Sequence, residues 1–286
     1  MKIIVLCFLF ISSQNIYSQE SKTTENLFFY GDVMLNALEY QNRAKAGDLF
    51  YDAFLSFLNE PNAFELSPGD IKTVSVLESV DGDFKLVSWQ VRFLENKSKY
   101  YGFIVFPDGS YVQLKDNSDF TQDLAFESVT PESWYGALYY SIKKLEENKY
   151  LIFGFNQIDQ FKNAKVLDMI HVKDGTVTLG EEIFEDKNDL DTYQNRIILT
   201  YSGDASVNLN YNPGLEMIVH DHLIQRMGQL EGQGPTNVPD GSYEGYKLEN
   251  GKWMYKEKIY DHSYGENNAP RPKPILNKKK KNLFGK

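Results

Sequence analysis

Two of the four histidines, His220 and His222, stand two residues apart in the apolar stretch LEMIVHDHLIQRM. Side chains alternate faces along a β-strand, so such a pair presents two imidazoles side by side, the beginning of a metal site. A metal needs three or four ligands in one geometry. The other histidines, His171 and His262, are distant and sit in no cluster of ligands, and Asp221 would face the opposite way. The pattern therefore reads first as two polar residues on the wet side of a sheet, and only second as a metal site at His220 and His222. Oxygen-rich loops are the next candidates. FEDKNDLDTYQN brings Asp186, Asn188, Asp189 and Asp191 close in sequence. Its alternation breaks at Leu190, and it lacks the glycine that a calcium loop needs for its sharp turn. KDNSDFTQD fails similarly at Phe120. No Gly-x-Ser-x-Gly or His-Glu-x-x-His motif marks a nucleophile or zinc-bound base. EGQGPTN has no phosphate-loop lysine. Paired carboxylates are possible in so acidic a chain, but 40 Asp and Glu residues single out no pair. No cofactor is expected.

Aromatic residues make up 14% of the chain, enough to need an explanation. They are densest in WYGALYY and KWMYKEKIY, which contain Trp134, Tyr135, Tyr139, Trp253 and Tyr255. Aromatic faces stack on sugar rings and anchor protein interfaces, which makes these five the candidate ligand platform. Aromatics also favour strands and fill sheet cores, the commoner use.

The elements that must position these groups follow from hydrophobic periodicity. In TENLFFYGDVMLNALEYQNRAKAG, Leu27, Tyr30, Met34 and Leu38 recur at helical spacing. Gly47 is placed to end that helix and Asp48 to cap the next, whose face is Phe50, Phe54, Phe57 and Leu58. Pro61 stops it. From about residue 69 the pattern becomes Val, Ile, Phe and Tyr runs separated by Asp-Gly and Asn-Gly pairs, the chemistry of tight hairpins. Pro131 is placed to start a short helix. PDGSY occurs twice, at Pro107–Tyr111 and Pro239–Tyr243, as turn chemistry used before a strand. The expected fold class is α+β, mostly β: a short helical pair within 20–68, then an antiparallel β domain over 69–265 rich in hairpins.

The two ends differ from the body. Lys2 followed by the apolar run IIVLCFLFI and the polar SSQNIYSQ has the layout of a secretory signal peptide, 1–19. Nine residues rise only about 14 Å as a helix, too short for a bilayer of about 30 Å, and no other run is long enough to cross one. The single cysteine, Cys7, lies inside this run. The chain is therefore expected to be exported, to periplasm or exterior, without disulfide or thiolate. Residues 20–265 carry a net charge of −17, which excludes nucleic acid as a natural partner. Residues 266–286 carry +6 and three prolines, and read as a basic flexible tail able to make weak, salt-sensitive contact with anionic envelope lipids.

From Trp134 onward, the ordered segments WYGALYYSI, GFNQIDQFKNAKVLDMIHV, YSGDASVNLNY, MIVHDHL and GPTNVPDGSYEGYKLENGKW resemble an uncharacterised family of exported proteins from Bacteroidota. The resemblance spans roughly 134–260. Asp221-His222-Leu223 and VPDGSYEGY are its most specific parts. It implies a Gram-negative, exported setting and transfers no catalytic residue. In that family pattern the position of His220 is usually apolar or aromatic, which leaves His222 as the more pattern-like residue, a structural, hydrogen-bonding histidine at a strand end. Together these readings predict an exported, non-catalytic cell-envelope protein that binds a partner protein or glycan through an aromatic-rich β surface. A periplasmic hydrolase, metal- or carboxylate-dependent, is the alternative.

Overall fold

The structure, a computed structural model, describes residues 22–259 apart from 62, 68, 95–96 and 118–121. The expected signal peptide and basic tail lie outside the described residues. Two helices lead: α1 over 22–36 and α2, Tyr40–Leu58. The strands that follow run from β1 to β15. The first sheet orders β1 (Ser75–Glu78), β2 (Lys85–Leu94), β3 (Lys97–Val105) and β4 (Tyr111–Lys115) as a meander. A second sheet is β11 (Arg196–Ser202), β7 (Lys162–Lys173), β6 (Lys149–Gln157) and β5 (Leu138–Glu146), with β8 (Thr176–Leu179) also on β7. The third sheet orders β10 (Asp189–Gln194), β9 (Phe184–Asp186), β15 (Lys252–Lys256), β14 (Pro235–Glu249), β13 (Met217–Met227) and β12 (Leu209–Asn212). Pairing among the described strands is antiparallel except where β15 meets β9 at Trp253 and Phe184. The fold is α+β and mostly β. No described helix is long and apolar enough to cross a membrane.

Layering explains why the strands are apolar on both faces rather than alternating. On β2 and β3, Val87, Trp89, Val91, Tyr101 and Phe103 pack against Phe50, Phe54 and Phe57 of α2. The opposite face of the same sheet, Leu86, Tyr100, Ile104 and Leu114, meets Tyr150, Ile152, Val166 and Ile170 of the second sheet. The far face of that sheet, Leu151, Phe153, Leu167, Met169 and Leu199, meets Phe184, Ile218, Tyr246 and Trp253 of the third. Helices and three sheets thus stack in four layers with three apolar interfaces. The second sheet, covered on both sides, is the interior of the molecule.

Local signals held at most turns. Asp174-Gly175 and Asn250-Gly251 both have positive φ at both residues, the two-residue hairpin geometry expected of these pairs. Pro131 starts a three-residue 3-10 turn, Pro131–Ser133. The helix boundary moves, however. The break falls at 37–39, and Gly47 lies within α2. A Cβ on Gly47 would come within 2.9 Å of the Val91 methyls, so this glycine lets α2 approach β2 instead of ending a helix. Leu38, assigned to the apolar face, is 91% exposed because it falls in that break.

The two PDGSY segments share local structure but not position. In each, an aspartate (Asp108, Asp240) accepts hydrogen bonds from the backbone and hydroxyl of the serine two residues on (Ser110, Ser242). The first forms the β3–β4 turn. The second sits inside β14 as a bulge: Tyr243 pairs with Asp221 and Pro239 with Leu223, so three residues, 240–242, oppose His222 alone. The expectation that it precedes a strand is corrected accordingly.

Candidate functional site

The five aromatic candidates do not form a platform. Trp134, Tyr135, Tyr139 and Trp253 are buried, and Tyr255 is half-buried. Coverage on both faces of the second sheet turns strand aromatics into core. Trp134 donates its indole N–H to the Tyr139 hydroxyl (2.9 Å), which lies 3.1 Å from the Tyr135 hydroxyl. Tyr135 donates to Asp168 Oδ2 (2.6 Å), and Arg196 Nε bonds the same oxygen at 3.1 Å. Arg196 also reaches the carbonyls of Leu124 and Leu179, and its guanidinium lies over the Tyr135 ring. Both charged side chains are fully buried. Burial, joined by the Asp168 charge, drives the Tyr135 hydroxyl well above its ordinary range, so it acts as a donor and not as a phenolate. This network ties β5, β7 and β11 together and opens to no described cleft. Sequence offered one signal for it: a lone acid, Asp168, inside the apolar run KVLDMIHV must find a partner if buried.

The histidines are separated by the bulge. His220, paired with Leu209 and Glu244 on the neighbouring strands, is fully buried beside Tyr246. Its Nδ1 lies 3.0 Å from the Asp221 carbonyl, which can only accept, so Nδ1 carries the proton and the partnerless Nε2 is a bare lone pair. His222 is half-exposed at the bulge and lies 3.0 Å from Asp240 Oδ2. They neither share an environment nor lie together on a wet face, which overturns the expectation for His220. His222 is a hydrogen-bonding residue opposite the bulge, in the middle of β13 and not at a strand end. Among the described residues no three of His, Cys, Asp and Glu are grouped to hold a metal ion.

Around His220 lies a second network. Glu244, its side chain 1% exposed, accepts from Lys187 Nζ (2.9 Å) and from the Tyr255 hydroxyl (2.5 Å) and sits 3.7 Å from His220 Nδ1. Burial pushes the Glu244 carboxyl up, but the hydrogen bonds from Tyr255 and Lys187 and the lysine charge outweigh it, so the group stays below the usual range. Burial lowers His220 from its ordinary 6.5. Its folded value is below its unfolded value, so its contribution is complete above about pH 6.5 and is lost as pH falls through the window beneath. Glu244 has the same sign and acts below 4.5. Wild-type protein should therefore lose stability in two stages on acidification. His220→Phe should flatten the first stage in urea melts taken between pH 7.5 and 5 and leave the second. An unchanged slope over that range would show that His220 does not titrate on unfolding.

Lys187 also lines an open cleft of about 550 Å³ between the second and third sheets. Ile198, Leu199 and Thr200 of β11 line it together with Ala125, Phe126, Ile158, Asp186, Lys187, Leu223 and Asn237. Phe126 is 51% exposed at its mouth. Asp186 is tied up by Asn188, which donates both its backbone and side-chain N–H to Oδ1. The Asn237 amide donates to the Thr200 carbonyl at 2.9 Å. The lining mixes apolar and amide groups, with one lysine whose charge Glu244 neutralises. That suits a ligand with a hydrogen-bonding frame and small apolar faces.

No family model, characterised protein or solved structure matches the chain. The site must therefore be read from its own chemistry. Of its residues only Asp186 and Asn188 drew notice in the sequence, as calcium candidates. Phe126, Leu223 and Asn237 belong to separate segments that carry no shared motif.

Proposed function

We propose that this chain is an exported, non-catalytic binding protein of a Gram-negative cell envelope, and that it takes an extended portion of a partner protein or glycan in the cleft along β11. The observation that carries this reading is the cleft itself: it is lined by Ile198 and Thr200, the partly exposed residues of the edge strand β11, and by an exposed aromatic ring, Phe126. Open edges offer directional backbone hydrogen bonds, and a ring supplies apolar contact to a sugar face or a side chain. This cleft takes the place of the aromatic-rich β surface that the sequence suggests, because four of its five rings, Trp134, Tyr135, Tyr139 and Trp253, are core.

The test compares wild-type protein with a Phe126→Ala/Leu223→Lys double variant, each immobilised and challenged with solubilised envelope glycan and envelope protein fractions. Wild type should retain a saturable component at least tenfold more tightly, the order expected when a hot-spot anchor is lost. Equal retention would overturn the cleft as the binding site. Stoichiometric zinc in purified protein, lost on replacing His220 and His222 by alanine, would instead favour the hydrolase.

A further inference from the structure

The edge of β11 has a direction. Gly203 N–H bonds the Phe161 carbonyl (2.7 Å), which turns the odd-numbered residues of β11 towards β7. In an antiparallel ladder alternate residues point both backbone groups the other way, so Ile198 and Thr200 face outward. The Asn237 bond to the Thr200 carbonyl agrees. The start of β11 is covered, since Asn195 N–H bonds the Ala125 carbonyl at 2.7 Å. Past it, no described strand pairs with this edge. What remains open is a short docking line: the N–H and carbonyl of Ile198 and the N–H of Thr200.

The described chain is delivered close to that line. Ile259 N–H bonds the Tyr243 carbonyl (3.2 Å) on β14, the strand that carries Asn237 into the cleft wall. Along a strand, six residues cover roughly 20 Å. Ten residues beyond Ile259 can span up to about 35 Å. They lead to Ala269-Pro-Arg-Pro-Lys-Pro-Ile275. Its prolines occupy every second position. In an extended chain successive N–H groups point to opposite sides, so Pro270, Pro272 and Pro274 put all their missing donors on one side. Arg271, Lys273 and Ile275 keep their N–H groups on the other. Such a segment can exchange paired hydrogen bonds with an edge through one side only and offers a further strand no donor, only the proline carbonyls. Its preset φ angles lower the cost of ordering it. Its positive charge complements a body of net −17 and the Asp186 carboxylate in the wall.

We propose that residues 269–275 of the same chain add to β11 as its outer strand and occupy the cleft, so that an outside partner must displace them. The inference goes beyond the binding function and is tested apart from it. Amide exchange of Ile198 and Thr200 is followed by NMR in the chain 20–286 and in a chain ending at Ile259. The full chain should exchange about tenfold or more slowly at both amides, with β6 amides unchanged as a control for folding. A full-length Arg271→Pro/Lys273→Pro variant, which removes two of the three pairing donors without shortening the chain, should exchange like the short chain. That variant decides the matter if the short chain does not fold. Equal exchange in the full, short and proline variants overturns the proposal, whether fast (an open edge) or slow (a different cover). Protection that falls on dilution would assign the occupant to a second copy and overturn the intramolecular contact. Failure of these results leaves the envelope-fraction assay with the cleft variant able to succeed alone, and the converse holds.

Discussion

Replacing Asp168 by alanine should destabilise the protein by about 3–5 kcal/mol, the range for removing one partner of a buried ion pair. The aspartate accepts from Tyr135 and Arg196 through Oδ2 and from the Met169 backbone through Oδ1. Without it, Arg196 stays fully buried, held only by carbonyls and the Tyr135 ring. An uncompensated charge in the central sheet costs more than the lost hydrogen bonds. Thermal melts should drop by roughly 10 °C or more for a chain of this size. The double variant Asp168→Leu/Arg196→Met should recover part of the loss, because the penalty lies in leaving one charge behind and not in lacking the pair. A single variant that melts within 2 °C of wild type would show that water reaches Arg196 and that this sheet is not sealed.

Trp89→Ala should cost a similar amount, about 3–5 kcal/mol, by a different mechanism. Trp89 is fully buried where the helical layer meets the first sheet. Its ring stacks on Tyr101 (centroids 5.1 Å apart) and meets Phe54 edge-on at 4.9 Å and Phe50 at 5.2 Å. Truncation leaves a cavity between rigid rings that cannot collapse into it. Its indole N–H has no partner, so Trp89→Phe, which removes that buried donor while keeping most of the ring, should cost far less than alanine. Urea titrations of both variants check this. If alanine and phenylalanine cost the same, the lost volume is not what matters there.

These two sites show how differently parts of the structure could be read in advance. Trp89 lies in FKLVSWQVRFLE, a run whose composition announces a strand, and its burial follows once helices cover the sheet. The helical pair, hairpin turns and antiparallel pairing were legible because each depends on local chemistry: i, i+3, i+4 spacing, Asp-Gly and Asn-Gly turns, and proline stops. Gly47 misled because a glycine that ends a helix and one that lets a helix approach a strand look the same without the partner, here Val91. The aromatic candidates misled for a related reason. Trp134, Tyr135 and Tyr139 would be half-exposed on a two-layer sheet and are core in a four-layer one.

His220 and His222 mark the boundary most clearly. Their types, their spacing and their place on a strand were determined by the sequence, as was the Asp-Gly-Ser turn chemistry of Asp240–Ser242. Which face each histidine takes was decided by where that turn falls: as a bulge in β14 opposite His222, it breaks the two-residue alternation and sends one imidazole into the core and the other to the surface. The same holds for the cleft. Local sequence specifies β11 as a strand, but an edge is a relation between strands. Only the packing of the second and third sheets leaves the outward backbone of Ile198 and Thr200 beside Phe126, Leu223 and Asn237, residues far apart in the chain that long-range contacts alone bring together.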